Sequence, residues 1–184
     1  DLDIASEIKW RRQRGDYLKG LTPPDIRVGV YSMDLGLYRG VAESFRGVPG
    51  VKISTFSDPT KKELETFDVI VFPACRDMWD TTEGWRENVK NFVQNGGGAV
   101  FSHNAVGRFP SSAFGTPLFP EICAGYAGQL AGNPTLTVAA AHPSVGDWRP
   151  GQQFKHIYHD HLHISPGPQG KVVLKNALGK PVMV

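Results

Sequence analysis

From residue 27 onward the apolar residues fall into two alternating kinds of segment. Residues 27–31 (Arg-Val-Gly-Val-Tyr) and 68–73 (Asp-Val-Ile-Val-Phe-Pro) are runs of strand length. The second is continuously apolar from Val69 to Phe72, as strands buried on both faces of a parallel sheet are. Residues 51–56 alternate apolar and polar side chains, the pattern of a strand near a sheet edge. Residues 99–102 form a fourth strand. Between these runs, residues 38–46 suit a helix, and Ser57-Asp58-Pro59-Thr60 opens a short one over 61–65. Beyond Gly84, the residues Trp85, Val89, Phe92 and Val93 lie near helical spacing, and Gly96, Gly97 and Gly98 stop that helix. The order β-α-β-α-β-α-β over 27–103 predicts a mainly parallel sheet with right-handed crossovers and helices on both faces. This is a three-layer α/β/α, flavodoxin-like arrangement.

The flanks read differently. Residues 2–18 look helical, with Ile4, Ile8, Trp10 and Tyr17 set among charges, and Gly20 and Pro23-Pro24 break that helix. The expected organisation is an N-terminal helix and linker over 1–24, followed by one α/β domain over 25–184. Past His103, residues 107–132 are rich in Gly, Pro and Phe and read as a long loop with one short helix. Strands resume at 135–140, 154–164, 171–174 and 181–184. The last of these stops without a turn or polar tail, and the chain does not begin with Met. A piece of a longer protein, or a sheet completed by another chain, is therefore expected.

Composition narrows the function classes. A length of 184 residues fits one domain, and a 40% hydrophobic content is enough to bury a core. The net charge of +2 gives no reason to expect a nucleic-acid or anionic-membrane partner. The one basic cluster, Lys9 to Arg14, reads as a solvated helix face. No apolar run is long enough to span a bilayer. No signal-peptide pattern is visible, and the compartment stays open: secreted or periplasmic as part of a larger protein, or cytoplasmic. Two cysteines, Cys75 and Cys123, make no disulfide framework. The three glycines precede a strand instead of opening a helix, so they are not a phosphate loop.

The candidate chemistry gathers where strands give way to loops, the edge at which open parallel sheets hold ligands. His103 follows the fourth strand directly, and that strand is expected to be central, with His103 bordering the main pocket. Relatives of this architecture carry a nucleophilic Cys or Ser at such an elbow, and here the covalent route has no obvious nucleophile. His103 and Asn104 either orient a substrate hydroxyl or carbonyl, with His103 as a general base near neutral pH, or cap local backbone groups. Cys75 follows Phe72-Pro73-Ala74 and reads as a rim thiol needing a lowered pKa and a base, or as a small buried residue; Cys123 reads as core. Asp34, Tyr38 and Arg39 follow the first strand, where Arg39 could clamp a carboxylate or sugar hydroxyl. Asp77, Trp79 and Asp80 follow the third, and Trp79 with Trp148 could stack on a sugar face. If residues 154–164 are one strand, His159, His161 and His163 share a face and Asp160 points the other way. That face is either a metal or polyanion site, zinc being the natural ion, or an exposed polar strand.

With these residues placed, the chain resembles the trehalose-utilisation (ThuA-like) family of the class I glutamine amidotransferase-like fold. The likeness rests on Arg27-Val-Gly-Val-Tyr31, Asp68-Val-Ile-Val-Phe72, Phe92-Val-Gln-Asn-Gly-Gly-Gly-Ala-Val-Phe-Ser-His103, and His142-Pro143 followed by Phe154-Lys-His-Ile-Tyr-His-Asp160. The family has a His where glutamine-hydrolysing relatives have Cys, and His103 matches it. It also tends to have an acidic pair near Asp160; here the second residue is His161. It usually continues past 181–184 into another strand and a helix, which implies a partner domain or chain completing the sheet. The resemblance implies a link to carbohydrate metabolism. Glutaminase activity is not expected, because His103 and Asn104 occupy the elbow where an activated thiol is needed. The expected catalytic residues are His103, Asn104 and Asp160. Asp34, Tyr38, Arg39, Cys75, Trp79 and His142 are the expected ligand contacts, and His159, His161 and His163 the candidate metal ligands. A noncatalytic interaction domain within a larger assembly is the alternative.

Overall fold

The computed structural model describes residues 25–32, 37–73, 84–107, 117–129, 135–155 and 162–184. The predicted helix over residues 2–18 lies outside them. Four strands, β1 (Ile26–Tyr31), β2 (Val51–Phe56), β3 (Val69–Phe72) and β4 (Gly98–Phe101), form a parallel sheet in the order β2-β1-β3-β4. The intervening helices are α1 (Leu37–Ser44), α2 (Lys61–Leu64) and α3 (Trp85–Gln94). The mixed α/β class and the parallel sheet thus agree with the sequence pattern. β4 was expected to be central, but it is the end strand of this sheet among the described residues.

Successive strand residues face opposite ways, and both faces are covered. On one, Val28, Val30 and Val71 are buried with Tyr38 and Val41 of α1 packed against them. On the other, Tyr31, Phe56, Ile70 and Phe72 pack with Leu64 of α2, Phe67, and Trp85 and Val89 of α3. Phe72 is the hub of this second face. Its ring centroid lies 5.2 Å from Tyr31 and 5.7 Å from Phe56, and it stacks on Phe101 at 5.4 Å with 5° between planes. Such ring pairs contribute about 0.5–1.5 kcal/mol each beyond the area they bury. Gly29 sits on this face because a Cβ there would meet the Phe67 ring at 2.7 Å.

Local chemistry sets the ends of these elements. Thr60 caps α2, its Oγ1 accepting the Glu63 N–H. The Asn88 side chain donates to the Pro59 carbonyl at 3.1 Å and so ties α3 to the entrance of α2. The three glycines divide the work of leaving α3. Gly96 takes φ +97° and donates to the Val93 carbonyl, and Gly97 donates to the Phe92 carbonyl, the paired bonds of a Schellman stop. Gly98 is already the first residue of β4. At the amino ends of β1 and β3, the Arg27 guanidinium holds both Asp68 carboxylate oxygens at 2.8 and 3.1 Å. This hydrogen bonding lowers the Asp68 pKa to about 2.

The second half departs from the expected parallel sheet, because every described strand pairing beyond β4 is antiparallel. β5 (Cys123–Gln129) pairs with β8 (Leu162–Pro166). β6 (Thr135–Val138), β7 (Gln153–Lys155), β9 (Leu174–Asn176) and β10 (Pro181–Met183) form a sheet in the order β10-β9-β6-β7. Three corrections follow. The long loop expected over 107–132 contains β5, whose Ala- and Gly-rich sequence has low strand propensity and which is bulged along its pairing with β8. The single strand expected over 154–164 is two strands, β7 and β8, in different sheets. β9 also begins at Leu174, where the strand expected over 171–174 was to end. The buried Asn176 braces the β9–β10 turn, its Oδ1 accepting from the N–H groups of Leu178 and Lys180 at 3.0 and 2.8 Å.

Candidate functional site

The carboxyl ends of the parallel strands are held in step by the first residue beyond each. The Ser32 N–H and hydroxyl both donate to the Phe56 carbonyl, at 2.8 and 3.0 Å, locking the end of β1 to the end of β2. The Ser102 N–H donates to the Phe72 carbonyl at 3.1 Å and does the same for β4 and β3. In the order β2-β1-β3-β4 the crevice at which ligands of open α/β sheets collect lies between the carboxyl ends of β1 and β3, next to the β1–β2 end.

A cleft of about 370 Å³ opens at this edge, lined by Ser32, Thr55, Phe56, Ser57, Asp58, Thr60 and Glu63. Phe56 is buried and forms its apolar floor. The other six side chains present four hydroxyls and two carboxylates, groups that together donate to and accept from a polyhydroxylated ligand. Sequence reasoning placed ligand contacts on this rim but named none of these six. Ser57-Asp58-Pro59-Thr60 was read only as the opening of α2. The available signal was its position: a polar run directly after a strand that faces the sheet's carboxyl edge.

The residues singled out from the sequence are not gathered at this cleft. Tyr38 and Arg39 lie on α1. Tyr38 packs on the Val28–Val30–Val71 face, and Arg39 Nε donates to its hydroxyl at 3.2 Å, with the guanidinium 5.7 Å from the ring centroid. That hydrogen bond raises the Arg39 pKa. His142 caps the short 3-10 helix Pro143–Val145, its Nδ1 accepting the Ser144 N–H at 3.2 Å and lying 2.6 Å from the Ser144 hydroxyl. It therefore has a structural task in the antiparallel half. His163 stands on β8 opposite Gly128. Asp34, Cys75, Asp77, Trp79, Asp80, His159, Asp160 and His161 lie outside the described residues. Among the described residues no three His, Cys, Asp or Glu side chains are grouped to hold a metal ion.

His103 and Asn104 open a 3-10 turn, His103–Val106, at the carboxyl end of β4, where the sequence pattern put them. The turn is fixed on two sides. Ala105 is buried in the Phe72 cluster, its N–H donating to the Ser102 carbonyl. Just beyond, the Gly107 carbonyl lies 3.1 Å from where a Cβ on Gly125 of β5 would stand. Gly125 itself takes φ +101°, so glycine is required there twice over. β5 thus brings the elbow segment against the strand pair that carries His163. Cys123, on the same strand, is a free, half-buried thiol; burial pushes its pKa up, against a weaker opposing hydrogen bond from Gly125. It is a poor candidate for a nucleophile.

None of the described helices is long and apolar enough to cross a membrane. In comparison with known proteins, no family model matches this chain and no curated sequence matches it significantly.

Proposed function

We propose that this chain is a ThuA-like domain of the class I glutamine amidotransferase-like fold. In this reading it binds, and at His103 processes, a carbohydrate or related small polar ligand at the carboxyl rim of its parallel strands. The three-layer, flavodoxin-like arrangement belongs to the same proposal. The parallel order β2-β1-β3-β4 and the apolar clusters on both faces support it. The observation that carries the functional part is the cleft at the ends of β1 and β2, with its hydroxyl and carboxylate lining over an aromatic floor. Within the proposal the ligand extends from the cleft across β3, about 10 Å by strand spacing, to His103 and Asn104 at the end of β4; these and Asp160 act on it, and Asp34, Cys75 and Trp79 contact it from the loops after β1 and β3.

Saturation-transfer NMR with neutral mono- and disaccharides tests the reading. Sugar signals should be attenuated by the wild-type chain, and Ser57→Arg, which places a long side chain in the cleft, should remove the effect. Loss of binding on substitutions remote from the rim, with Ser57→Arg binding normally, would refute it. His103→Ala should retain binding and lose turnover of the bound sugar.

A second reading, a noncatalytic interaction domain, is favoured by one observation. Val100 on β4 is 51% exposed, on an uncharged end strand of the described parallel sheet. Uncharged end strands of this kind are normally covered or blunted, and a strand from a partner domain or chain would pair with this one.

A further inference from the structure

The two faces of the parallel sheet are unequally covered, and the handedness of the crossovers explains why. From β1 the chain steps outward to β2, then back across β1 to β3 and on to β4. Right-handed connections that run in opposite senses across a sheet put their helices on opposite faces. α1 accordingly packs over β1 and β2 on one face, and α2 and α3 lie on the other. None of the described crossovers therefore puts a helix over β3 and β4 on the α1 face. The described residues soon after β4 do not fill that gap: Leu118 and Phe119 join the Phe72 cluster on the opposite face.

The area left open is apolar. Paired residues of a parallel sheet point the same way. Val100, opposite the buried Val71, and Val69, opposite Val28, thus share the α1 face with Ile26, two residues before Val28. α1 has eight residues and is about 12 Å long. It leaves Ile26 50% exposed and Val100 51% exposed, with Val69 half-buried. Gly98, beside Val69, adds no side chain to cover it.

Residues 2–18, outside the described residues, carry the sequence pattern of a helix that needs such a surface. Ile4 and Ile8 are one turn apart, and Trp10 and Tyr17 two turns apart. A helix this short, with Gly15 inside it, is marginal in water unless its apolar side chains are buried. The segment joins β1 through residues 19–24 and so arrives beside Ile26. Its length as a helix is about 25 Å, and the linker reaches up to about 20 Å. β4 lies two strand spacings from β1, about 10 Å, well within that reach.

We propose that residues 2–18 dock as a helix on the α1 face of the parallel sheet, against Ile26, Val69 and Val100. The basic run Lys9 to Arg14 then faces water. The helix lies on the sheet face, so the backbone edge of β4 is left as it is.

Limited trypsin digestion of the full chain tests the docking, because Lys9, Arg11, Arg12 and Arg14 become good substrates only when the helix is released. Cleavage within residues 9–14 should be slow in the wild type. In Val100→Asp, which puts a carboxylate under the helix, it should be about tenfold faster or more. Ile4→Asp with Ile8→Asp should release the helix to a similar extent. Adding Val100→Asp to that pair should bring no further gain, since both changes break the same contact. Leu178→Asp, at a residue 68% exposed in the antiparallel half, should leave the rate unchanged. In the wild type labelled at Ile and Val methyl groups, nuclear Overhauser contacts should join Ile4 and Ile8 to Val69 and Val100, a readout that needs no variant to fold. Fast cleavage of the wild type, a rate that Val100→Asp leaves unchanged, or the absence of those methyl contacts overturns the proposal. Protection that disappears on dilution also overturns it, by assigning the face to a second copy of the chain. Equal acceleration by Leu178→Asp does so too, because it marks general destabilisation.

Discussion

The two halves of the described chain obey different rules. From β1 to β4 every pairing is parallel, and the strands between are buried on both faces, so that Val30, Ile70 and Phe72 have no exposed surface. From β5 to β10 every pairing is antiparallel, and most strand residues are half-buried or exposed; Val138, Ile164 and Val173 carry the apolar burial of those strands and their connections. The parallel half holds the dense aromatic core and the rim cleft. The antiparallel half relies on turns, on Asn176 and on close backbone approaches, such as those at Gly167 against Pro120 and Glu121 and at Gly170 against Ile122. A strand covered on both sides must be apolar along its whole length, which concentrates stability; a strand covered on one side need not be.

The largest expected effect breaks this comparison if it fails. Phe72→Ala removes the hub of the aromatic cluster and should lower stability by about 3–5 kcal/mol in denaturant melts. Val173→Ala, equally inaccessible in the antiparallel half, should cost about 2 kcal/mol. Equal losses would show that the two halves share one core in energetic terms. Gly125→Ala sharpens the contact between them. A Cβ there would lie 3.0 Å from Pro117 Cγ and 3.1 Å from the Gly107 carbonyl, at a backbone angle of +101°. The cost should be about 1–3 kcal/mol, with resonances perturbed in the His103–Val106 turn as well as in β5. A change confined to β5 would show that the elbow does not depend on it.

The difference also explains what could be read from the sequence. All four parallel strands, the three helices between them and the edge position of β2 were visible in the pattern, because Val69-Ile70-Val71-Phe72 and its neighbours have an apolar character that few other structures produce. The antiparallel half was read poorly for the converse reason. Cys123 to Gln129 contains two Ala and two Gly and is a strand by virtue of β8, a partner more than thirty residues away. Residues 154–164 look like one strand because nothing local marks the change of sheet. The carboxyl rim was expected from the strand order, and the side chains that line the cleft there were not. His, Cys, Trp and Arg carry distinctive chemistry, whereas the polar lining of the cleft is Ser, Thr, Asp and Glu, residues common at any strand end.

The smallest expected effect concerns pH. The Asp68 carboxyl has its folded pKa lowered from 3.8 to about 2 by Arg27. A depressed folded value means that the pair stabilises the fold above about pH 4, and that this contribution disappears as pH falls through about 2. Both side chains are about half exposed, at 50% and 46%, so the contribution is small and weakens with salt. Asp68→Asn should lower the melting temperature slightly at pH 7 and leave it unchanged relative to wild type near pH 2. A difference that persists at pH 2 would show that Asp68 acts through packing and not through its charge.

The central claim is that the parallel half, at the ends of β1 and β2, holds the ligand. Hydrogen exchange of the whole chain, with and without a saturating neutral disaccharide such as trehalose, tests it most directly. The account predicts slowed exchange at the backbone amides of Ser32, Thr55, Ser57 and Thr60, with the amides of β6, β7 and β9 unchanged. Protection confined to the antiparallel half, for example around the exposed Trp148, would contradict it.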